Sequence, residues 1–148
     1  MEPIKFYRSS GENGYLSNLY KCTVSFDGRV FRSAEDAYQF GKPKDAAVAE
    51  WLMDAPKPHL TAVAAHALLP WDIDPRWGKT KVGRMARVIH AKFQQNTELR
   101  EKLLATGSRI IMENSKTDRF WGIGKDGKGK NMLGIILMDI RTHFKNVR

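Results

Sequence analysis

The chain is 148 residues long, 42% of its residues are hydrophobic, and its formal net charge is +9. This length is typical of one domain, and the composition supports a hydrophobic core, which excludes a mainly disordered chain. A single cysteine, Cys22, excludes an internal disulfide and a cysteine-rich zinc cluster, and its alternating surroundings predict a small buried residue. The first ten residues lack a secretory signal, and no stretch is long and apolar enough to cross a bilayer. We therefore expect a cytoplasmic protein that does not associate with membranes.

Positive charge is concentrated in the second half of the chain. Residues 1–74 carry 8 basic and 10 acidic side chains, a balance of −2, whereas residues 75–148 carry 17 basic and 6 acidic ones, a balance of +11. A basic field attracts nucleotides, phosphorylated metabolites and nucleic acid, and it is equally compatible with an ordinary solvated surface. Charge alone does not choose among these functions.

The N-terminal part predicts a small β element followed by a short helix. Residues 4–31 read as extended, and Asp27-Gly28 between alternating apolar runs predicts a hairpin turn. Ser33 then predicts the cap of a helix, and Asp36 matches the acidic variant of a capping box. Pro43 is expected to end this helix.

The rest of the chain predicts further helices, separated by turns and proline-rich loops. Residues 54–59 contain two prolines and are expected to form a loop. Helices are expected at Asp45 to about Met53, in residues 60–69, from about Lys79 to Gln95, from a Thr97 cap to Gly107, and from near Asn131, with a short strand within residues 109–113. The fold class is therefore mainly α, a multihelical single domain over residues 1–148 with a small N-terminal β hairpin.

The first helix carries polar side chains where an apolar stripe is usual. Glu35, Tyr38, Gln39 and Lys42 follow the i, i+3, i+4, i+7 spacing of one helix face. This pattern fits a helix whose polar side lines a pocket. It fits equally an exposed face on which glutamate and lysine attract each other, and the spacing alone does not decide between the two.

A glycine- and lysine-rich loop is the second candidate site. Four glycines and three lysines between Gly122 and Lys130 precede the helix that begins near Asn131. Because glycine lets N–H groups turn towards a ligand and a helix N-terminus attracts anions, the loop is a candidate phosphate site. It matches no established phosphate motif, so a flexible surface turn is the alternative, although Asp118 and Trp121 favour an anchored loop.

A short polar pair and the absence of familiar catalytic motifs also bear on the chemistry. Ser17 and Asn18 lie between two leucines, where small polar groups read a ribose or a base or, more often, form a turn. The four histidines show no metal-ligand spacing, and no nucleophilic serine or Cys–His signature appears. Any catalysis must therefore rest on lysine, glutamate or aspartate, and neither a metal nor a cofactor is expected.

Taken in order, these stretches resemble the NADAR family, also called YbiA-like proteins. The most specific parts are E-x-x-Y-Q-x-x-K at residues 35–42 and D-x-x-W-G…G-x-G-x-N-x-L-G at residues 118–134, with LL-x-T-G at residues 103–107 between them. The resemblance covers nearly the whole chain. It implies a mainly helical fold and N-glycosidase activity, the hydrolysis of a C–N bond between ribose C1 and an amine.

Two groups of anionic, nucleotide-like substrate follow from the resemblance. One comprises phosphorylated ribosylamino-pyrimidine intermediates of riboflavin biosynthesis. The other is ADP-ribose, including ADP-ribose attached to guanine bases, which would make ADP-ribosylated nucleic acid a partner. A non-catalytic module that binds ADP-ribose or nucleic acid is the alternative from a different class. The presence of Glu35, Lys42 and Asp118 together favours an enzyme.

The family motif, carried over to this sequence, indicates three catalytic residues. Lys42 is expected to act as a nucleophile that forms a Schiff base, Glu35 as the general acid/base, and Asp118 as a stabiliser of the ribose centre. Tyr38 and Trp121 would stack on the base, while Gln39 and Asn18 would read its edge. The full set of predicted substrate contacts is Ser17, Asn18, Tyr38, Gln39, Trp77, Met85, Trp121, Gly122, Lys128 and Asn131.

Overall fold

The computed structural model describes residues 1–147 and divides the chain into two units. One unit combines Met1–Ser17 with the chain from Asn96 onward, and the other is Asn18–Gln95. Within residues 1–147 the helices are α1 (Ala34–Gln39), α2 (Ala46–Met53), α3 (Pro58–His66), α4 (Trp77–Gln95), α5 (Thr97–Ala105) and α6 (Met132–Asn146). The strands are β1 (Ile4–Phe6), β2 (Lys21–Phe26), β3 (Arg29–Ser33) and β4 (Ile111–Glu113), and short 3-10 helices lie at Gly14–Leu16 and Pro70–Asp72. The predicted mainly helical class with a small hairpin is confirmed.

Strands β2 and β3 form the predicted hairpin of the Asn18–Gln95 unit. Asp27 and Gly28 have φ angles of 49° and 79°, the left-handed values that a type I′ turn requires at both central positions. The strands pair antiparallel, with Val24 opposite Phe31. This register directs both side chains into the core, where each is at most 4% exposed.

Helix α1 is the central helix of this unit. It contacts β2, β3, α2, α3 and α4, and its Ala34 and Ala37 are fully buried in a cluster with Val24, Phe31 and Val88. Small side chains allow the helix backbone to approach the hairpin closely, which suits a short segment buried on several sides. Cys22 packs at the edge of this cluster and is partly buried, as its sequence context predicted.

The start of α1 follows the sequence, whereas its capping box does not. Ser33 Oγ accepts a hydrogen bond from the Asp36 N–H at 3.1 Å, which confirms the predicted cap. The Asp36 carboxylate instead pairs with Arg32, four residues earlier, so the reciprocal half of the predicted capping box is wrong. An arginine in reach offers the carboxylate a charged donor, which binds more strongly than a backbone N–H.

In the other unit, β1 and β4 form a parallel pair that spans most of the sequence. Ile4 lies opposite Ile111, and Phe6 lies opposite Glu113. Helix α6 packs on β4 and on α5, and both strands place isoleucine side chains in the core. The strand expected within residues 109–113 is therefore confirmed.

Several predicted boundaries need correction. The region 4–31 is not extended throughout, because Gly14–Leu16 forms a 3-10 helix. The predicted loop at residues 54–59 is shorter, since Pro58 occupies the first turn of α3, where a missing N–H is harmless. The cap of α5 is Asn96 rather than Thr97. None of the described helices has both the length and the apolarity that a membrane span requires.

Each of the two small sheets is bordered by a side-chain carboxamide. The backbone N–H of Ser25 in β2 donates to Gln95 Oε1 at 2.7 Å, and Gln95 Nε2 donates back to the Ser25 carbonyl at 2.8 Å. Asn131 does the same on β4, accepting from the Glu113 N–H and donating to the Ile111 carbonyl, both at 2.9 Å. In both places a carboxamide reproduces the hydrogen bonds of a missing strand.

Candidate active site

The polar residues of α1 only partly share one helix face. Glu35 Oε1 accepts a hydrogen bond from Gln39 Nε2 at 3.0 Å, as the i, i+4 spacing predicts. Lys42 lies beyond the helix, in a turn where its N–H bonds back to the Gln39 carbonyl. Because Pro43 disfavours helical geometry in the residue before it, the prediction that Lys42 lies on the helix is wrong.

The side-chain amine of Lys42 is partly withdrawn from water. Its Nζ donates to the Ala65 carbonyl at 2.8 Å, and the side chain is half-buried. Burial lowers the pKa of Lys42, the nearby charge of Lys81 lowers it further, and Glu35 acts in the opposite direction. A lysine with a lowered pKa supplies more of the neutral amine, which is the nucleophilic form.

An aromatic pair borders the same helix. The rings of Tyr38 and Trp77 have centroids 5.0 Å apart and are tilted by 48°. Tyr38 is buried, whereas Trp77, at the first position of α4, is half-buried. The pair can present a partly accessible aromatic surface to a base.

Asn18 and Gln39 place two buried carboxamides in this unit, and that of Gln39 has an open acceptor. The backbone carbonyl of Asn18 accepts from the Glu35 N–H at 3.0 Å, and the side-chain Nδ2 of Asn18 donates to the sulfur of Met85 at 3.2 Å. Gln39 is 3% exposed, and its Oε1 accepts no hydrogen bond from the described chain. A buried acceptor without a donor is unusual, and it fits the expected reading of an N–H group on a base.

Sequence reasoning missed two cations in this cluster, Lys81 and Arg84. Arg84 donates from Nε to the Tyr38 carbonyl at 3.1 Å and from its terminal nitrogen to the Ala37 carbonyl at 2.6 Å. It therefore caps the C-terminus of α1 directly before Lys42. The available signal was the spacing of four residues between Trp77, Lys81 and Met85, which places all three on one face of α4.

Asp118 organises the loop between β4 and α6 in the other unit. Its Oδ1 accepts hydrogen bonds from the N–H groups of Phe120 at 2.9 Å and Trp121 at 2.7 Å. Its own N–H donates to Ser115 Oγ at 3.0 Å. The second oxygen, Oδ2, has no hydrogen-bond partner among residues 1–147, and the predicted role of Asp118 at the ribose stays a prediction.

Two further predicted residues of this loop have structural contacts. A Cβ on Gly122 would overlap with Glu113 and with the Asp118 carbonyl, so only glycine fits there. Asn131 has a left-handed φ of 55°, and both polar atoms of its amide bond the backbone of β4. These contacts explain why the residues are needed, and their predicted contact with substrate stays a prediction.

The N–H groups from Gly127 to Leu133 are not open to the predicted phosphate, and the rest of the predicted cradle stays a prediction. Each N–H group from Gly127 to Leu133 already donates to an oxygen within the loop, for example Met132 to the Phe120 carbonyl at 3.0 Å and Leu133 to the Trp121 carbonyl at 3.1 Å. The loop folds onto the helix start and satisfies the groups that would face an anion. Its lysine side chains, among them the exposed Lys128, are the groups left to attract a phosphate.

Ser17 closes the 3-10 helix of residues 14–16. It is 4% exposed, and its N–H donates to the Gly14 carbonyl at 3.0 Å. This is the turn that the sequence favoured as the simpler interpretation. Among the described residues, no three histidine, cysteine or acidic side chains lie close enough together to hold a metal ion.

The NADAR domain model matches residues 5–145. The chain is 33% identical over 142 residues to the N-glycosidase YbiA of Escherichia coli strain K12, which covers 95% of this chain and 88% of that protein. It is 31% identical over 147 residues to the N-glycosidase Npun_R5314 of Nostoc punctiforme, covering 97% and 94% of the two chains. The solution structure of E. coli YbiA superimposes with a TM-score of 0.89 at 31% identity, over 99% of this chain and 86% of the other. The chain therefore belongs to the NADAR family.

A longer relative is also similar. A riboflavin biosynthesis protein of Vibrio vulnificus is 36% identical over 144 residues, which is 97% of this chain but only 39% of the length of that protein. The predicted family and the predicted enzyme class, N-glycosidase, agree with these matches.

Proposed function

We propose that the chain is an N-glycosidase that hydrolyses the bond between ribose C1 and the amine of phosphorylated ribosylamino-pyrimidines, as formed in riboflavin biosynthesis. The observation that carries the proposal is the half-buried Lys42 amine, held by the Ala65 carbonyl in the electrostatic reach of Glu35. The name of the Vibrio relative supports the pyrimidine substrate class.

The proposed reaction assigns one step to each group. The neutral Lys42 amine attacks C1 and forms a C–N bond, while the bond from C1 to the substrate amine breaks and the ring opens to a Schiff base. Glu35 gives the leaving amine its proton and afterwards takes one from water, which hydrolyses the Schiff base and releases the sugar phosphate. The bond from Gln39 fixes the carboxylate in place.

The Tyr38–Trp77 pair and the open acceptor of Gln39 support the assignment of the base-binding side. Aromatic rings bind any planar base, and the Gln39 Oε1 acceptor selects one that presents an N–H group. An aminopyrimidine satisfies both requirements.

A second candidate substrate is ADP-ribose attached to guanine. The net charge of +9 favours a more highly charged substrate and a nucleic-acid carrier. Guanine also presents N–H donors, so the Gln39 acceptor serves it as well. The two candidates differ in the sugar phosphate that leaves the enzyme, which makes them separable by product analysis.

Product analysis by mass spectrometry tests the proposal. Wild type, Lys42→Ala and the surface control Lys57→Ala are each incubated with a ribosylamino-pyrimidine phosphate and with ADP-ribosylated guanosine. We expect ribose 5-phosphate from the first substrate, a loss of about 10³-fold or more in Lys42→Ala, and no change in the control. Release of ADP-ribose from the second substrate alone would replace the pyrimidine assignment with the guanine one.

Borohydride trapping tests the covalent step separately. Reduction during turnover should add the mass of the sugar phosphate to a peptide that contains Lys42. Turnover without any adduct would remove the Schiff base and leave Glu35 to activate water. Binding of both substrates without product would show a binding module.

A further inference from the structure

A cavity lies within the Asn18–Gln95 unit, beside the turn that follows α1. Its volume is about 320 Å³, which is within the range of small-molecule sites. It opens between the hairpin, the turn after α1 and the start of α2. None of Glu35, Tyr38, Gln39, Lys42 or Trp77 lines it, although Arg84, which bonds the end of α1, borders both places.

The walls of this cavity are aromatic. Phe31 and Phe40 pack edge to face with ring centroids 5.4 Å apart, and Phe26 lines the cavity beside them. Phe40 is only partly buried, so its ring is accessible to an occupant. Such a surface gains most from a planar apolar partner.

Cations surround the same space. The guanidinium of Arg29 lies 4.6 Å from the centre of the Phe40 ring, and that of Arg84 lies 5.0 Å from the centre of the Phe26 ring. Lys44 lines the cavity with an exposed ammonium group. Asp27 is the carboxylate among the lining residues.

The positive charge of the cavity is incompletely neutralised. Arg29 pairs with Glu50, but the recorded hydrogen bonds of Arg84 go to the neutral carbonyls of Ala37 and Tyr38. Arg84 is half-buried; this burial lowers its pKa, and the nearby charge of Asp27 offsets the shift in part without forming an ion pair with it. A partly desolvated cation without a carboxylate partner favours an anion nearby.

We propose that this cavity binds a small anion that carries an aromatic ring, with the ring against the partly exposed Phe40 and the anionic group at Arg84 and Lys44. Nucleotides and aromatic carboxylates share this chemistry. An uncharged aromatic molecule would leave Arg84 and Lys44 without an anion, and a bare inorganic anion would leave the Phe40 ring exposed.

Phenyl phosphate is the simplest probe of this proposal. It is titrated into the isotope-labelled chain while backbone amide shifts are followed by NMR, with inorganic phosphate and phenol titrated in parallel. We expect saturable shifts at Gly41, Lys44 and Ala46, and an affinity for phenyl phosphate at least about tenfold above that for either part. Equal affinity for inorganic phosphate would overturn the aromatic half of the proposal, and shifts confined to other residues would overturn the site.

A filling variant and its neighbour separate the cavity from the rest of the surface. Ala46 lines the cavity and is exposed, whereas the adjacent exposed Ala47 does not line it. Ala46→Trp should abolish the shifts, and Ala47→Trp should leave them unchanged. Both positions lie on the surface of α2, and matching thermal melts will show that both variants fold. Binding that survives in a folded Ala46→Trp variant would exclude the cavity as the site.

Discussion

At Lys42, three neighbouring influences act on the charge of one amine. Burial and the cation of Lys81 favour the neutral form, and the carboxylate of Glu35 favours the charged form. The balance lowers the pKa, so the nucleophilic form becomes available at a lower pH than for an exposed lysine. Each influence can be removed separately, which makes the arrangement testable without a substrate.

Removing Lys81 and removing the charge of Glu35 should shift the pKa of Lys42 in opposite directions. Lys81→Ala removes a repelling cation and should raise it, whereas Glu35→Gln removes an attracting anion and should lower it. The measurement is NMR of isotope-methylated lysines, with the Lys42 signal assigned by Lys42→Arg. Lys79→Ala, an exposed cation on the same helix, is the control and should move the signal little. If both variants shifted the pKa of Lys42 in the same direction, the described arrangement of Lys42, Lys81 and Glu35 would be contradicted.

Lys92 presents a separate and entirely buried charge. It is 0% exposed, its Nζ lies 5.2 Å from the centre of the Phe93 ring and 5.7 Å from that of Tyr20, and desolvation lowers its pKa to about 8. In the unfolded chain the pKa of this lysine has its ordinary value of 10.5. Below pH 8 the buried charge of Lys92 therefore lowers the free energy of unfolding by its full amount, roughly 3 kcal/mol. This cost disappears as the pH rises towards 10.5.

Lys92→Met should reveal this pH dependence. We expect the variant to be the more stable protein at pH 7 and its advantage to shrink as the pH passes from about 8 to about 10, because only the wild type then loses the unfavourable term. Denaturant unfolding at several pH values measures the difference, and Lys79→Met on the same helix should show no such trend. A difference that stays constant over this range would mean that Lys92 does not titrate there.

At the scale of elements, the C-terminus of α1 depends on one glycine and one arginine. A Cβ on Gly41 would overlap with the Arg84 guanidinium that bonds the last carbonyls of the helix. Gly41→Ala should therefore displace Arg84 and lower the free energy of unfolding by about 1–3 kcal/mol. Because Lys42 follows at once, the same change should also reduce adduct formation at Lys42.

Gly83 on α4 is the comparison position, because an alanine there is expected to stabilise the protein. Gly83 lies in a helix interior with nothing near its absent Cβ, so Gly83→Ala should stabilise the protein by about 0.5–1 kcal/mol. Thermal and denaturant unfolding of both variants measure the contrast. Equal effects at the two positions would show that Arg84 does not hold the end of α1.

The elements that sequence predicts well are those with a local signal. The Asp27-Gly28 turn, the Ser33 cap and the periodic run that ends at Gln95 each depend on residues a few positions apart. The parallel pairing of β1 with β4 joins three-residue strands more than a hundred positions apart, and no periodicity marks so short a strand. The 3-10 helix at residues 14–16 is equally too short for a periodic signal.

The candidate site was predictable in its residue types but only partly in its contacts. The motif identified Glu35, Gln39 and Lys42, yet the departure of Lys42 from the helix depends on a turn that Pro43 imposes. The sequence also did not show that loop oxygens satisfy the N–H groups from Gly127 to Leu133, because this tertiary arrangement has no local signature. Arg84 escaped notice because its partners are backbone atoms about 46 positions away.

At the scale of the whole molecule, net charge makes a prediction about encounter with substrate. The chain carries 25 basic against 16 acidic side chains, and a phosphorylated substrate is attracted by such a field over roughly a Debye length of 10 Å at 0.1 M salt. We expect kcat/KM to fall several-fold when sodium chloride rises from about 50 to about 300 mM, with kcat nearly unchanged. Steady-state kinetics with the pyrimidine phosphate measures this. A loss confined to kcat would place the salt effect in the chemical step.

The carboxamides of Gln95 and Asn131 have a consequence for how copies of this chain behave in concentrated solution. An uncovered strand edge is a template on which a second molecule can add its own strand. The Gln95 amide bonds the backbone N–H and carbonyl of Ser25 at this edge. Gln95→Ala would expose both groups to solvent while the hairpin itself stays paired. We expect light scattering of the variant to grow with protein concentration, and Gln94→Ala, at the preceding exposed position, to remain monodisperse. In that case, one side-chain amide decides whether the chain stays monodisperse or slowly forms fibrils.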